Sequence, residues 1–319
     1  MSLLNAAVVL SLFWSVFSYG ALTDHFKKTE KGSAVHKIRN VDFIYMINLD
    51  QRPEKFKLSV DQLEKFGITP YRFSAVNGWE LTVEDINDVG LKYQPDMTSL
   101  LATTYLPENG GVGTHEQMTV YGRAYFCHCM ARGTIGCALS HLSVLQDAWD
   151  SGYETIWVME DDIEVVQNPN IISDLIDELD ARVGKDKWDV LFTDQDIRVK
   201  GGKYVPAYGA AARPDMDCSE SDKGRYRKKF TEKKRISMNL RKISARFGAH
   251  SMIIRRCGIG KLLEFAKEHL IFLPYDMDNY LRDDIHRYCS TFDIVSNLVG
   301  SLSDNGEAYY KRRQGAEGG

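Results

Sequence analysis

Three consecutive carboxylates, Glu160-Asp161-Asp162, interrupt an apolar run that begins at Ile156 and resumes at Ile163. Hard oxygen donors crowded at one point suit a divalent cation of the Mg²⁺ or Mn²⁺ type and, through it, a phosphorylated substrate. The apolar run reads as a buried strand whose carboxyl end delivers the acids. Open α/β sheets bind their ligands at that end. Because strand residues alternate in direction, Glu160 and Asp162 are expected on one side of the backbone and Asp161 on the other. A solvated acidic turn is the alternative for such a triplet.

Other chemistry-bearing residues fall at similar junctions. The strand signal Val41–Leu49 delivers Asn48, Asp50 and Arg52, where an acid could meet hydroxyls and a guanidinium could meet phosphate. A turn with a surface ion pair is the plainer reading of Asp50 and Arg52. Pro53 then opens a helix with apolar Phe56, Val60, Leu63 and Phe66, Gly67 stops it, and Tyr71–Val76 is a second strand, which together make a parallel crossover unit. Gly133–His141 leads into a helix whose small residues and free amide groups could lie against phosphate, and His141 either contacts ligand or completes an internal hydrogen bond. Asp194 and Asp196 follow a strand from Trp188 to Thr193, and Asp276 and Asp278 enter a turn or helix start. From Trp79 to Arg132 periodicity is weak, and an irregular insertion over the active edge is expected.

The chain has 319 residues, a formal charge of −4 and 44% hydrophobic residues, which supports a full core and excludes disordered or fibrous classes. Nucleic acid is not expected as a partner, because the charge is near neutral and no binding module accompanies the one basic segment, residues 223–246. That segment reads as a solvated loop, or as a contact for an anionic acceptor or an anionic membrane surface. Cys127-His128-Cys129 lacks the spacing and second pair of a zinc site, so these residues are expected as thiols. Residues 1–22 contain an apolar stretch of signal-peptide length with no basic residue before it, so a signal peptide or a membrane anchor is expected. Either would make the protein exported or membrane-associated.

Ile47-Asn48-Leu49-Asp50-Gln51-Arg52-Pro53, Gly136-Cys137-Ala138-Leu139-Ser140-His141 and Val158-Met159-Glu160-Asp161-Asp162, in that order, resemble the motifs of family 25 glycosyltransferases. That family includes bacterial lipopolysaccharide-type glycosyltransferases and the catalytic domains of collagen galactosyltransferases. The resemblance covers roughly Val41 to Asp304. It implies an α/β fold of the nucleotide-sugar-transferase A type, with a mainly parallel central sheet flanked by helices. The catalytic domain is expected over residues 35–308, with a disordered tail over 309–319.

The resemblance further implies a UDP-sugar donor carrying galactose or glucose, inversion at the anomeric carbon, and Mn²⁺ or Mg²⁺ as cofactor. Glu160, Asp161 and Asp162 would hold the metal, while Asn48, Asp50, Arg52, Gly136, Ser140 and His141 would line the donor pocket. Inverting transfer also needs a base, for which Asp276 or Asp278 is expected, with Asp194 as substitute. The acceptor is expected to be a glycan or glycolipid hydroxyl of the lipopolysaccharide or lipooligosaccharide type. Rival readings are a non-catalytic sugar-nucleotide or glycan-binding protein on the same scaffold, and a metal-dependent phosphohydrolase.

Overall fold

Alternate residues of the first strand, β1 (Phe43–Asn48), enter different cores: Tyr45 and Ile47 join one apolar cluster, Ile44 and Met46 the other. A strand that alternates between two cores is buried on both faces, as the central strands of a helix-covered sheet must be. The computed structural model describes residues 22–30, 32–205, 212–216 and 220–311. Apart from Leu22, the expected signal or anchor segment lies outside the described residues. No described helix is long and apolar enough to cross a membrane.

From β1 the chain runs through helix α1 (Pro53–Leu63) to β2 (Tyr71–Ser74), with Pro53 at the helix start and Gly67 in the left-handed region after a final 3₁₀ turn. The insertion holds α2 (Val83–Val89), β3 (Leu91–Lys92), β4 (Leu101–Tyr105), β5 (Gly113–Gln117) and β6 (Ala124–Cys127). Helix α3 (Arg132–Asp150) then feeds β7 (Thr155–Glu160) and β8 (Ile163–Val165), followed by α4 (Ile172–Val183), β9 (Val190–Phe192), β10 (Arg198–Val199) and β11 (Lys203–Tyr204). Next come α5 (Glu220–Lys229), β12 (Lys233–Arg235), β13 (Leu240–Ile243) and β14 (Ser251–Arg255). Helices α6 (Arg256–His269) and α7 (Tyr275–Asn279) precede β15 (Arg287–Ser290) and β16 (Val295–Asn297).

Eight strands form the central sheet in the order β12-β13-β15-β9-β14-β7-β1-β2. The sheet is mixed: β1 pairs in parallel with β2 and β7, and β9 with β15, whereas β14 runs antiparallel to both β7 and β9, and β13 opposes β12 and β15. Val60 and Leu63 of α1 and Leu175 and Leu179 of α4 cover one face; Leu139 and Leu142 of α3 and Leu262 and Leu263 of α6 cover the other. The crossover through α1 leaves β1 on one side and the chain returns to β7 on the other, so a crevice opens between the carboxyl ends of β1 and β7.

The insertion is ordered rather than irregular, with β3, β6, β4 and β5 forming an antiparallel sheet. Its signal is weak in sequence because β3 has two residues and β5 is nowhere fully buried, so no apolar repeat marks either. Cys127 and Cys129, expected as thiols, are joined by a disulfide. Ahead of residue 35, Leu22 and Phe26 are buried in the larger cluster. At the other end Tyr310 is buried and its phenol accepts from Asn77 Nδ2 at 2.9 Å, while residues 312–319 lie outside the described residues.

Two glycines let α3 touch the loop after β2. A Cβ on Gly136 would strike the backbone of Val76 and Gly78, and one on Gly78 would strike the Arg132 carbonyl. Ser140 fixes the same contact, accepting from the Val76 amide at 2.8 Å and donating to the Gly136 carbonyl at 2.7 Å. Gly136→Ala should therefore lower stability by about 1–3 kcal/mol through overpacking, read as a fall in denaturant midpoint at unchanged slope.

Candidate functional site

A cleft opens at the β1–β7 crevice, walled by Arg52 and Lys55 from the start of α1, Asn77 to Trp79, Cys137 and Ser140 of α3, the acidic triplet, and Ser303 to Asn305. β7 ends at Glu160, so the triplet straddles the sheet. Glu160 follows Ile156 and Val158 toward the α3 face, where His141 Nε2 donates to its Oε1 at 3.0 Å and the Cys137 thiol lies 4.0 Å away. Asp161 turns toward the α1 side, accepting from Asn48 Nδ2 at 2.6 Å while its carbonyl accepts from Ser59 at 2.7 Å. Asp162 stands at the bend after the strand, with Lys55 Nζ 3.9 Å away.

Electrostatics separate the three acids. Burial and the neighbouring Asp162 push Asp161 up to about 7, against the opposing pull of Lys55 and Asn48. Burial and Glu160 likewise raise Asp162. Burial opposes ionisation of Glu160 too, but the hydrogen bond and charge of His141 hold its carboxyl below the ordinary value. Crowded carboxylates deprived of water gain most from a dication, which cancels their repulsion and replaces their lost hydration. Glu160 and Asp162 therefore fit the implied metal, whereas Asp161 already has a neutral donor. A second possible donor set, Cys137, His141 and Glu160, has ligand atoms within 4.8 Å of one another. Its thiol is driven far above its usual range by burial and Glu160, and thiol and imidazole act here as hydrogen-bonding neighbours of Glu160.

The remaining expected site residues divide. Asn48 is buried and donates to both the Arg52 carbonyl and Asp161, so it orients the acid. Arg52 lines the cleft with its charge committed to Asp304 and Glu54. Asp50 points away and is 56% exposed, held below its ordinary value, despite some burial, by hydrogen bonds from Ser74 and Arg72. Gly136 and Ser140 position the loop, and the His141 ring stacks on Tyr275 with centroids 4.3 Å apart.

Among the candidate bases, Asp194 is fully buried, meeting Arg246 at 2.6 Å, His250 at 2.8 Å and Ser296 at 2.8 Å, a geometry that suits a structural anion. Although burial opposes its charge, Arg246 and His250 drive its carboxyl well below the usual range. Asp278 binds Arg213 at 2.9 Å, and burial, partly offset by Arg213, raises it to about 6. Asp276 accepts from the Gly248 amide at 2.6 Å and is raised by burial and, among its neighbours, by the charge of Glu160. Glu160 is among its principal charged neighbours, although Asp276 does not itself line the cleft.

Lys55 and Trp79 carry no sequence signal that singles them out. Lys55 sits in the first turn of the helix that follows β1 and lines the cleft, and its Nζ also donates to the Leu302 carbonyl at 2.7 Å. Trp79 donates its indole N–H to the Asp304 carbonyl at 2.8 Å.

The sequence profile of glycosyltransferase family 25, described as LPS biosynthesis protein, matches residues 41–279. Proteins named glycosyltransferase 25 family member are similar to this chain in Aedes aegypti (29% identical over 123 residues) and Drosophila melanogaster (28% over 142). The first match covers 39% of this chain and 16% of the relative, the second 44% and 19%. A Homo sapiens protein named inactive glycosyltransferase 25 family member 3 is 23% identical over 152 residues, 47% of this chain and 21% of its own length. The matched region is thus a small part of each relative. Ser303 to Asn305 lie beyond the stretch the profile matches.

Asp194→Asn should cost about 3–5 kcal/mol by leaving Arg246 buried without its anion, measured by urea unfolding. Because the folded-state value is depressed, the stabilisation is complete above the ordinary carboxylate value of 3.8 and drains away as pH falls below it. The variant should lose that acid dependence.

Proposed function

The chain belongs to glycosyltransferase family 25, and from that premise we propose that it transfers a hexose, galactose or glucose, from a UDP-sugar to a hydroxyl of a glycan acceptor, with inversion, on an A-type nucleotide-sugar-transferase fold. The observation that carries the reading is the cleft itself: crowded acids and Lys55 stand at the carboxyl ends of β1 and β7, and Asp276, behind the cleft lining, feels the charge of Glu160. Glu160 and Asp162 would hold Mn²⁺ or Mg²⁺. Such an ion would supply charge neutralisation for the departing diphosphate. Lys55 adds a fixed cation to the same wall, and Asn48 keeps Asp161 turned aside.

Inversion requires a base on the face opposite the leaving group. Asp276 serves best, because its raised affinity for protons brings it closer to working pH and its position is fixed by the Gly248 amide. Asp278 holds Arg213 instead, and Asp194 is sealed in its ion cluster. The acceptor is a glycan or glycolipid of the lipopolysaccharide type, in keeping with the family description, which names lipopolysaccharide biosynthesis.

The test is UDP release from a panel of UDP-sugars with and without Mn²⁺. One donor should support metal-dependent release, Asp162→Ala should abolish it, and Asp276→Asn should lower kcat by about 10²–10⁴-fold with UDP-induced thermal stabilisation retained. Activity of the native protein should rise with pH through a value above the ordinary carboxylate range, and Asp276→Asn should flatten that limb. A second reading, a sugar-nucleotide-binding protein without turnover, draws on the likeness to a relative named inactive. It predicts thermal stabilisation by UDP-sugar with no release above that of a Glu160→Ala/Asp162→Ala double variant.

A further inference from the structure

Beside the cleft lies a larger groove of about 500 Å³, bordered by the insertion's sheet, the Cys129 to Arg132 segment and Lys311. The two hollows share Trp79 as a common wall. Their charges differ. The cleft carries Glu160, Asp161, Asp162 and Asp304 beside the cations Arg52 and Lys55, whereas among the described residues no carboxylate lines the groove, whose charged and imidazole side chains are His115, His128, Arg132 and Lys311.

Strand alternation produces this separation. His115 shares a face of β5 with Gly113 and turns to the groove, where its Nδ1 meets Thr103 Oγ1 at 3.1 Å. Glu116, next in sequence, turns to the opposite face and is occupied by Arg123 at 2.6 Å and Tyr125 at 2.8 Å. The guanidinium of Arg132 spends its hydrogen bonds on the carbonyls of Gly78, Leu81 and Gly111. Those carbonyls position it without neutralising it, so a full positive charge is fixed at the groove wall with no carboxylate among the described residues to answer it.

We propose that this groove seats the acceptor, and that the acceptor carries an anionic group, phosphate or carboxylate, within one or two sugar units of the hydroxyl that is glycosylated. The proposal rests on the transferase reading for its direction. Trp79 offers an aromatic face between the two hollows, suited to the apolar side of a pyranose. The groove's size fits an oligosaccharide fragment rather than a single small ion. The anion would lie toward Arg132, His128 and Lys311, and the reacting hydroxyl toward Trp79 and the acids beyond it.

The experiment uses the full chain, saturated with UDP so that the donor cleft is filled, and follows methyl β-glucuronide, glucose 6-phosphate and methyl β-glucoside by saturation-transfer NMR. At least one anionic probe should bind about tenfold more tightly than the neutral glucoside, with affinity falling as salt rises. Which anionic probe prevails identifies the group as carboxylate or phosphate. A His128→Glu/Lys311→Glu variant, altered only at exposed groove positions, should lose that preference while its affinity for UDP is unchanged. Equal binding of neutral and anionic probes, or a preference that survives charge reversal, would overturn the proposal. Loss of anion binding on UDP addition would also overturn it, by placing the probes in the donor cleft. Should UDP itself fail to bind while the anions bind the groove, the transferase reading fails and the groove stands as an anion site.

Discussion

Negative charge withdrawn from water sets the terms of this structure. Three carboxylates leave the sheet at one point, and burial and mutual repulsion raise Asp161 and Asp162. Each acid is answered from a different element: Asp161 by Asn48 at the end of β1, Glu160 by His141 on α3, and Asp162 by Lys55 on α1. Those elements are the first crossover unit and the helix that feeds β7. The point at which the sheet's connections diverge is therefore also the point at which its charges are balanced, and neither arrangement could shift without the other.

Much of this is legible in the sequence because the central strands are buried on both sides. Phe43–Ile47 and Ile156–Met159 read as continuous apolar runs for that reason, and the residue order alone places the polar and acidic residues that follow them at the sheet's edge. The helix from Pro53 and its stop at Gly67 are equally plain. Division of the triplet between two helices is not, since alternation says which residues part company but not what awaits them. Lys55, Trp79 and the Arg52–Asp304 pair depend on contacts across long sequence separations, which no local pattern encodes. The insertion escapes a sequence reading because its antiparallel strands are short and partly polar.

Composition misleads most where charges are buried. The basic run around residues 225–246 contains the same residue types whether solvated or enclosed. In the fold Arg246 is enclosed against Asp194, and Lys229 is buried with its ammonium on the Tyr280 carbonyl and beside Asp283. Arg227, Lys228, Lys234 and Arg235 remain exposed, so the surface field is weaker than the segment's formula suggests. A second enclosed cluster, Arg213 with Asp278 and Asp215, consumes another of the acids that sequence offers as a base.

Asp304 closes the cleft from the far end of the described fold, pairing with Arg52 near its beginning and lending its carbonyl to Trp79. During synthesis, β1, β7, the covering helices and the whole triplet precede that residue, and β15 completes the sheet shortly before it. A nascent chain can thus complete much of its core while one wall of the cleft is missing and Arg52 has only its neighbour Glu54 to answer its charge. The cleft is completed only when the segment carrying Ser303 to Asn305 docks against walls drawn from much earlier in the chain.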